Sequence, residues 1–331
     1  MLFQNAKHPL EMKVTHLNKV KAQRKQQLQL QMVNDKGLTS LISRALTDLT
    51  KKENTKKTSK FGLFKNKVAN KNCFVLDFHG DIKATEVQQL REEISTLLTV
   101  AKPEDEVIVR LESSGGMVHA YGLAAAQLAR IKEAGLHLTV CIDKVAASGG
   151  YMMACVADKI LAAPFAVVGS IGVVAQVPNF HDLLEKHDID VEVFTAGKYK
   201  RTVTVFGENT EEDKQKFQQE LEETHKLFKD FVRKYRQSLD VEQVATGEHW
   251  YGEDAITRNL VDALQTSDSY ILEKMTDSEL YAIQSRQKPT IAQKLGISQS
   301  AQAVVATAID KLPDALAKLE SAKMPIVRKS P

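Results

Sequence analysis

From Cys73 onward, strand-like and helix-like runs alternate at intervals of about 30 residues, a pattern that points to parallel βαβ units in an α/β fold. Cys73–Phe78 (CFVLDF) reads as a buried strand. Ala84–Ala101 reads as an amphipathic helix, with Val87, Leu90, Ile94 and Leu97 at helical spacing. A second strand is predicted over Glu106–Leu111, an alanine-rich helix over Met117–Ala134, and a third strand over Leu136–Ile142. Short strands follow at Lys159–Ala162 and Ala166–Val174. Val191–Lys200 reads as a strand running into a loop that carries Lys198 and Lys200. Asn209–Ser238 then reads as a long helix, opened by an Asn-Thr-Glu-Glu capping pattern and striped by Phe217, Leu221, Phe228, Phe231 and Tyr235. A helix of about 28 residues exceeds what one small domain needs, which suggests a subunit contact.

The composition is that of a soluble globular protein, with 26% charged residues and 43% hydrophobic ones. Three cysteines, Cys73, Cys141 and Cys155, make no disulfide framework; Cys73 and Cys141 sit in apolar runs that suit buried thiols. No apolar run reaches the roughly 18 residues that span a bilayer, and no signal peptide is visible.

The net charge of +3 conceals an asymmetry. Residues 1–72 hold 16 Lys+Arg against 4 Asp+Glu, a net +12, which leaves −9 for the remainder. Helical runs are expected at Leu17–Val33 and Leu38–Leu49, and a solvated linker at Lys51–Lys60. Nucleic-acid binding would need stacking aromatics or a recognised module, and the arm has neither. Lysines interleaved with apolar residues suit an anionic membrane surface better.

The chemistry concentrates in Ile142–Val174, IDKVAASGGYMMACVADKILAAPFAVVGSIGVV. Ser148 stands there between two alanines and two glycines, with a strand run entering the turn and a small-residue helical run leaving it. A serine on a sharp strand-to-helix turn is placed as an activated nucleophile, its Oγ at a helix N-terminus. A hydroxyl still needs a base to take its proton. Among the histidines, His79, His119, His181, His187, His225 and His249 are candidates, but none stands in a pattern that singles it out. A lysine serves if burial lowers its pKa, and Lys200 follows a predicted strand end in a small-residue loop. Backbone donors for an oxyanion are offered by Ser113-Ser114-Gly115-Gly116, directly after the second strand; Gly116 and Gly149 are the natural pair.

The runs DKVAASGGYMMACVADKI, VVGSIGVV and TAGKYKRT, in that order and spacing, resemble the signal peptide peptidase A family of Ser-Lys serine peptidases, family S49. GENTEEDKQKF, HKLFKDFVRKYR and VATGEHWYGEDA extend the resemblance, which covers about Asn72 to Asp268. It implies a Clp/crotonase-like spiral of ββα units and peptide hydrolysis without metal or organic cofactor. It also implies Ser148 as nucleophile, Lys200 as general base 52 residues on, Ser170 as the serine that orients the lysine, and the Gly116 and Gly149 amides as oxyanion donors. Members usually carry proline where this chain has Ser114. Related chains begin with a membrane-spanning helix ahead of a basic segment; this one shows the basic segment and no such span.

The expected organisation is a basic N-terminal arm (1–71), a catalytic domain (72–270) and a helical C-terminal extension (271–331). Peptides would lie extended beside Gly115–Gly116, with Met117, Val118, Ile171 and Val173 as apolar walls. A homo-oligomer associated with a bacterial inner membrane is expected. Two rival readings are a crotonase-like acyl-CoA enzyme, which needs no serine nucleophile, and a non-catalytic scaffold on a membrane.

Overall fold

The structure, a computed structural model, describes residues 10–32 and 71–287. The expected helix at Leu38–Leu49, the linker at Lys51–Lys60 and everything after residue 287 lie outside the described residues. Met12–Ser285 form one compact unit, and this unit carries the candidate site.

Its frame is a parallel sheet. The strands are β1 (Leu10–His16), β2 (Lys71–Gly80), β3 (Glu106–Ser113), β4 (His137–Ile142), β5 (Val145–Ala147), β6 (Lys159–Ala162), β7 (Val167–Gly169), β8 (His249–Tyr251), β9 (Ala263–Leu264) and β10 (Ser278–Gln287). Their main order is β1-β10-β2-β3-β4-β6-β9. Central strands buried on both faces read as continuous apolar runs rather than as alternation, which is why CFVLDF stood out in β2. Alternate residues of β2 still serve opposite faces. Phe74, Leu76 and Phe78 join the larger core, while Cys73 and Val75 face a smaller one with Ile108, Cys141 and Leu280. Burial pushes the Cys141 thiol up to about 12, so it packs as an apolar group.

The helices are α1 (Leu17–Met32), α2 (Val87–Leu97), α3 (Val118–Glu133), α4 (Gly149–Ala154), α5 (His181–Glu185), α6 (Glu211–Tyr235), α7 (Val241–Val244), α8 (Gly252–Thr257) and α9 (Ser267–Lys274). The cap of α6 is one residue later than the sequence suggested: Thr210 and Asp213 form its capping box. Inward, α6 buries only Phe228 and Val232 and packs on α4.

Four expectations change. The third strand does not enter the Ser148 turn; it ends at Ile142, and the separate β5 does so. Val191–Lys200 forms no strand. Its valines and Phe194 are exposed with no sheet edge beside them, and an unpaired strand has no acceptors for its amides. The helical extension expected from residue 271 ends at Lys274 and gives way to β10, parallel to β2 from Ser278↔Lys71 to Ala282↔Val75. Part of the expected arm also belongs to the sheet, as β1. Asn18 secures this end, donating to Ser278 O (2.9 Å) and accepting from Leu280 N (2.8 Å). No helix among the described residues is long and apolar enough to cross a membrane.

The sheet forks at β3. Glu106–Arg110 pair with β4, but Ser113 pairs with Ala146 of β5. From there β5 runs parallel to β7, and β7 antiparallel to β8. The loops that leave β3, β5 and β7 therefore emerge side by side at carboxyl ends of strands, where α/β sheets bind ligands.

Candidate active site

Ser148 follows β5 directly and caps α4. Its backbone sits at φ 51° and ψ −119°, a region normally left to glycine. The turn is held by Ser148 N–H donating to Gly169 O (2.8 Å) and Met152 N–H to Ser148 O (3.0 Å). On the next strand Gly169 (φ 104°) and Ser170 (φ 52°) make a second left-handed turn, pinned by Ser170 N–H to Glu248 O (2.6 Å). The pairing of Ala147 with Gly169 sets the two serines beside each other.

The loop after β3 closes on the same point. A Cβ on Gly115 would lie 2.6 Å from the Gly149 nitrogen and 2.8 Å from the Ser148 Cβ, so only glycine fits there. Gly115 N–H donates to Ser113 Oγ (3.0 Å) and Met117 N–H to Ile82 O (2.8 Å). Between them, Gly116 N–H has no backbone or side-chain acceptor among the described residues. Gly149, first residue of α4, has no intrahelical acceptor either. Two amides thus remain to be satisfied beside the Ser148 hydroxyl.

Tyr121 supports both loops from below, and sequence reasoning missed it because one tyrosine on a helix carries no pattern. Its hydroxyl donates to Asp81 O (2.7 Å) and meets Ser113 Oγ at 2.5 Å. Burial raises the phenol above its ordinary value. A Cβ on Gly149 would run into the Tyr121 ring, so the α4 backbone rests on that ring.

A cavity of about 870 Å³ opens over Ser148. Of the residues expected from sequence, Gly115, Gly116, Met117, Val118, Ser148, Ser170 and Val173 line it. Ile171 does not: it is fully buried and packs into the core. Past β7 the chain is no longer strand, and Ile171 is buried while Val173 lines the cavity. Gly149 contributes its backbone beneath Ser148 rather than a wall. Ile82, Ser114, Gly172, Val174, His225, Thr246 and Gly247 complete the lining.

Lys200 is not among these residues. It is exposed, at the end of a turn closed by its own N–H to Gly197 O (3.0 Å). Residues 174–200 are exposed almost throughout, with Val174 at 91% and Phe194 at 88%. The neighbouring Lys198 pairs with Glu212 (2.9 Å), a bond that raises its pKa and favours its charged form.

Ser148 thus stands strained at a strand–helix elbow, with the Gly116 and Gly149 amides beside it. The chain belongs to peptidase family S49. The profile of "Peptidase family S49" matches residues 130–281, and that of "Peptidase family S49 N-terminal" matches residues 2–128. It is 65% identical over 223 residues to "Probable protease SohB" of Haemophilus influenzae, a match covering 67% of this chain and 63% of that one. Probable protease SohB of Buchnera aphidicola subsp. Acyrthosiphon pisum is 58% identical over 214 residues, covering 65% of this chain and 64% of the relative. That of subsp. Schlechtendalia chinensis is 55% identical over 218 residues, covering 66% and 70%. The chain thus spans a little under two thirds of the first two relatives. Among solved structures, a membrane-bound stomatin-specific protease aligns at 13% identity and a TM-score of 0.43, over 65% of this chain and 98% of that one.

Proposed function

We propose that this protein is a serine endopeptidase that cleaves extended peptides, such as remnant signal peptides or other membrane-associated polypeptides, with a Ser148–Lys200 dyad. The observation that carries the reading is the meeting of the Gly115–Gly116 loop with the Ser148–Gly149 elbow at one cavity. In this mechanism Ser148 Oγ attacks the scissile carbonyl carbon while its proton passes to the neutral Lys200 amine. The oxyanion is held by the Gly116 and Gly149 amides. Collapse breaks the C–N bond, the leaving amine takes the proton from Lys200, and an ester to Ser148 remains. Water then attacks the ester with Lys200 again as base, releasing the carboxylate product and the free serine. Ser170, beside the elbow, orients the lysine.

Lys200 comes to this role by its place in TAGKYKRT, within the exposed segment. Homo-oligomerisation that packs this segment would carry Lys200 to a Ser148 cavity. The N-terminal basic region holds the protein at the surface of a bacterial inner membrane. A second reading has one specific observation in its favour: His225, not Lys200, lines the cavity, which would make an imidazole the base.

A fluorophosphonate probe tests the nucleophile. Ser148 is expected to be labelled, and peptide hydrolysis to stop on labelling and in Ser148→Ala. An unlabelled Ser148, in protein that turns over acyl-CoA thioesters, would replace the peptidase with a crotonase-like enzyme. Unlabelled protein without hydrolysis would leave a scaffold. Hydrolysis that survives Lys200→Ala and stops in His225→Ala would install the imidazole as base.

A further inference from the structure

Gly116, one of the two unpaired amides, is held through both its neighbours. Met117 donates its N–H to Ile82 O (2.8 Å). Gly115 donates to Ser113 Oγ (3.0 Å), which in turn meets the Tyr121 hydroxyl at 2.5 Å. The phenol proton goes to Asp81 O (2.7 Å), so the serine is the donor at the short contact. Gly80 O, at 3.2 Å, is the weaker alternative for the serine proton. A directed chain results, from Gly115 N–H to Ser113 Oγ, from Ser113 O–H to Tyr121 Oη, and from Tyr121 O–H to Asp81 O. The loop thus hangs on two consecutive carbonyls. Ile82 O is reached directly and Asp81 O through two side chains.

Ser113 and Tyr121 are both buried, so water does not compete for this chain, and linked hydrogen bonds strengthen one another in such surroundings. The anchor is itself braced: Asp81 Oδ1 accepts from Lys83 N (3.1 Å) and Thr85 N (2.9 Å). The same tyrosine reaches the second amide with its ring. A Cβ on Gly149 would stand 2.7 Å from Tyr121 Cδ2 and 2.8 Å from Tyr121 Cβ, so the start of α4 lies directly on it. Tyr121 sits one turn into α3, its N–H donating to Met117 O (3.0 Å). The helix that supplies the support therefore begins at the loop it supports.

We propose that Tyr121 is a positioning residue that fixes the separation of the two unpaired amides, its hydroxyl setting the Gly115–Gly116 loop through Ser113 and its ring setting Gly149. The proposal rests on the peptidase reading above, in which these amides hold the oxyanion. Tyr121 does not line the cavity and acts only through its neighbours. Two donors stabilise a developing charge only when both are aimed at the place it will occupy. Here they come from loops after different strands, β3 and β5, and a shared support removes the freedom between them. Binding of the uncleaved peptide makes no such demand.

The test uses full-length protein. Tyr121→Phe keeps the ring and removes the hydroxyl, and Ser113→Ala cuts the same chain one link nearer the loop. Each is expected to lower kcat about tenfold with KM little changed, less than the about 10²–10³ of losing a donor outright. Because both cut one chain, the double variant should be no worse than either single. A peptide aldehyde, whose adduct with Ser148 carries an oxyanion, should lose affinity by about the same factor. Calorimetric affinity for an uncleaved peptide, read in the Ser148→Ala background, should stay unchanged. A Tyr121→Phe protein within about twofold of wild-type kcat would overturn the proposal and leave the peptidase standing. So would an equal weakening of aldehyde and uncleaved peptide, which would mark a general loosening of the fold. Hydrogen exchange of residues 113–117 needs no turnover and so separates the two readings. If the wild type hydrolyses no peptide, the peptidase reading falls and exchange decides. Exchange faster by about tenfold in Tyr121→Phe, confined to that segment, then upholds the positioning role, and unchanged exchange ends it.

Discussion

Gly115 and Ser148 are separated by 33 positions in the chain, yet a Cβ on Gly115 would stand 2.8 Å from the Cβ of Ser148. Gly115 also has φ 87°, a conformation that an L side chain resists. Gly115→Ala is therefore expected to push the Gly116 amide off its line. Losing one oxyanion donor costs about 10²–10³ in kcat. Steady-state hydrolysis, read beside circular dichroism, should show that loss in protein that remains folded. An alanine variant with near wild-type kcat would remove Gly116 from the oxyanion site.

The dyad predicts non-additivity. Ser148→Ala and Lys200→Ala should each reduce hydrolysis by a similar large factor, and the double variant should be little worse than either. Retention of more than about a tenth of the activity in Lys200→Ala contradicts the base assignment, since general-base catalysis contributes about 10²–10⁴-fold. The sign of the pH dependence follows from the chemistry. Only the neutral amine accepts a proton, so kcat/KM should rise as pH rises and should show no acid limb that disappears in His225→Ala.

The segment after β7 exposes several large apolar side chains, among them Val174, Leu183 and Phe194, and such exposure in number suits association. We expect light scattering to show a homo-oligomer of four or more subunits at micromolar protein. Phe194→Ser should shift it toward smaller species and lower activity in parallel. A fully active monomer would remove self-association from the mechanism.

The structure sharpens the membrane prediction, because deleting all of residues 1–71 would also remove β1 from the sheet. Helix α1 offers a cleaner target. It has no buried residue, and it carries Lys19, Lys21, Arg24 and Lys25 with no acidic residue. Each such charge near an anionic surface is worth about 1 kcal/mol. Replacing the four with Gln should weaken co-sedimentation with anionic vesicles at low salt and leave peptide hydrolysis intact. Binding that is equal on neutral vesicles would count against an electrostatic tether.

Sequence patterns revealed what repeats or is locally dense. The continuous apolar runs of β2, β3 and β4 and the 3.6-residue stripe of α2 could be read directly. So could the three glycine- and serine-rich loops, whose residues converge at the cavity. What depends on distant partners was hidden. The three-residue β5 becomes a strand only because β3 and β7 flank it. Ile171 turns inward although it stands in the same glycine- and serine-rich stretch as the cavity-lining Ser170 and Val173. Val191–Lys200 has the composition of a strand but no edge to pair with. His225 falls within the register of an amphipathic helix, so only the packing of α6 on α4 reveals that it borders the cavity.

The parallel pairing of β10 with β2 has a consequence for biosynthesis. β2 spans Lys71–Gly80, and its neighbour on that side is translated some 200 residues later. Until Ser278–Ala282 has left the ribosome, β2 presents an open ladder of amides and carbonyls to any other strand in reach. The nascent chain can assemble β3, β4 and the serine elbow before that, but this side of the sheet stays unsealed. Contacts of such long sequence separation form slowly, so closing this side of the sheet depends on a search that follows synthesis. A nascent chain stalled short of residue 278 would carry its serine- and glycine-rich loops on a sheet still open to its neighbours.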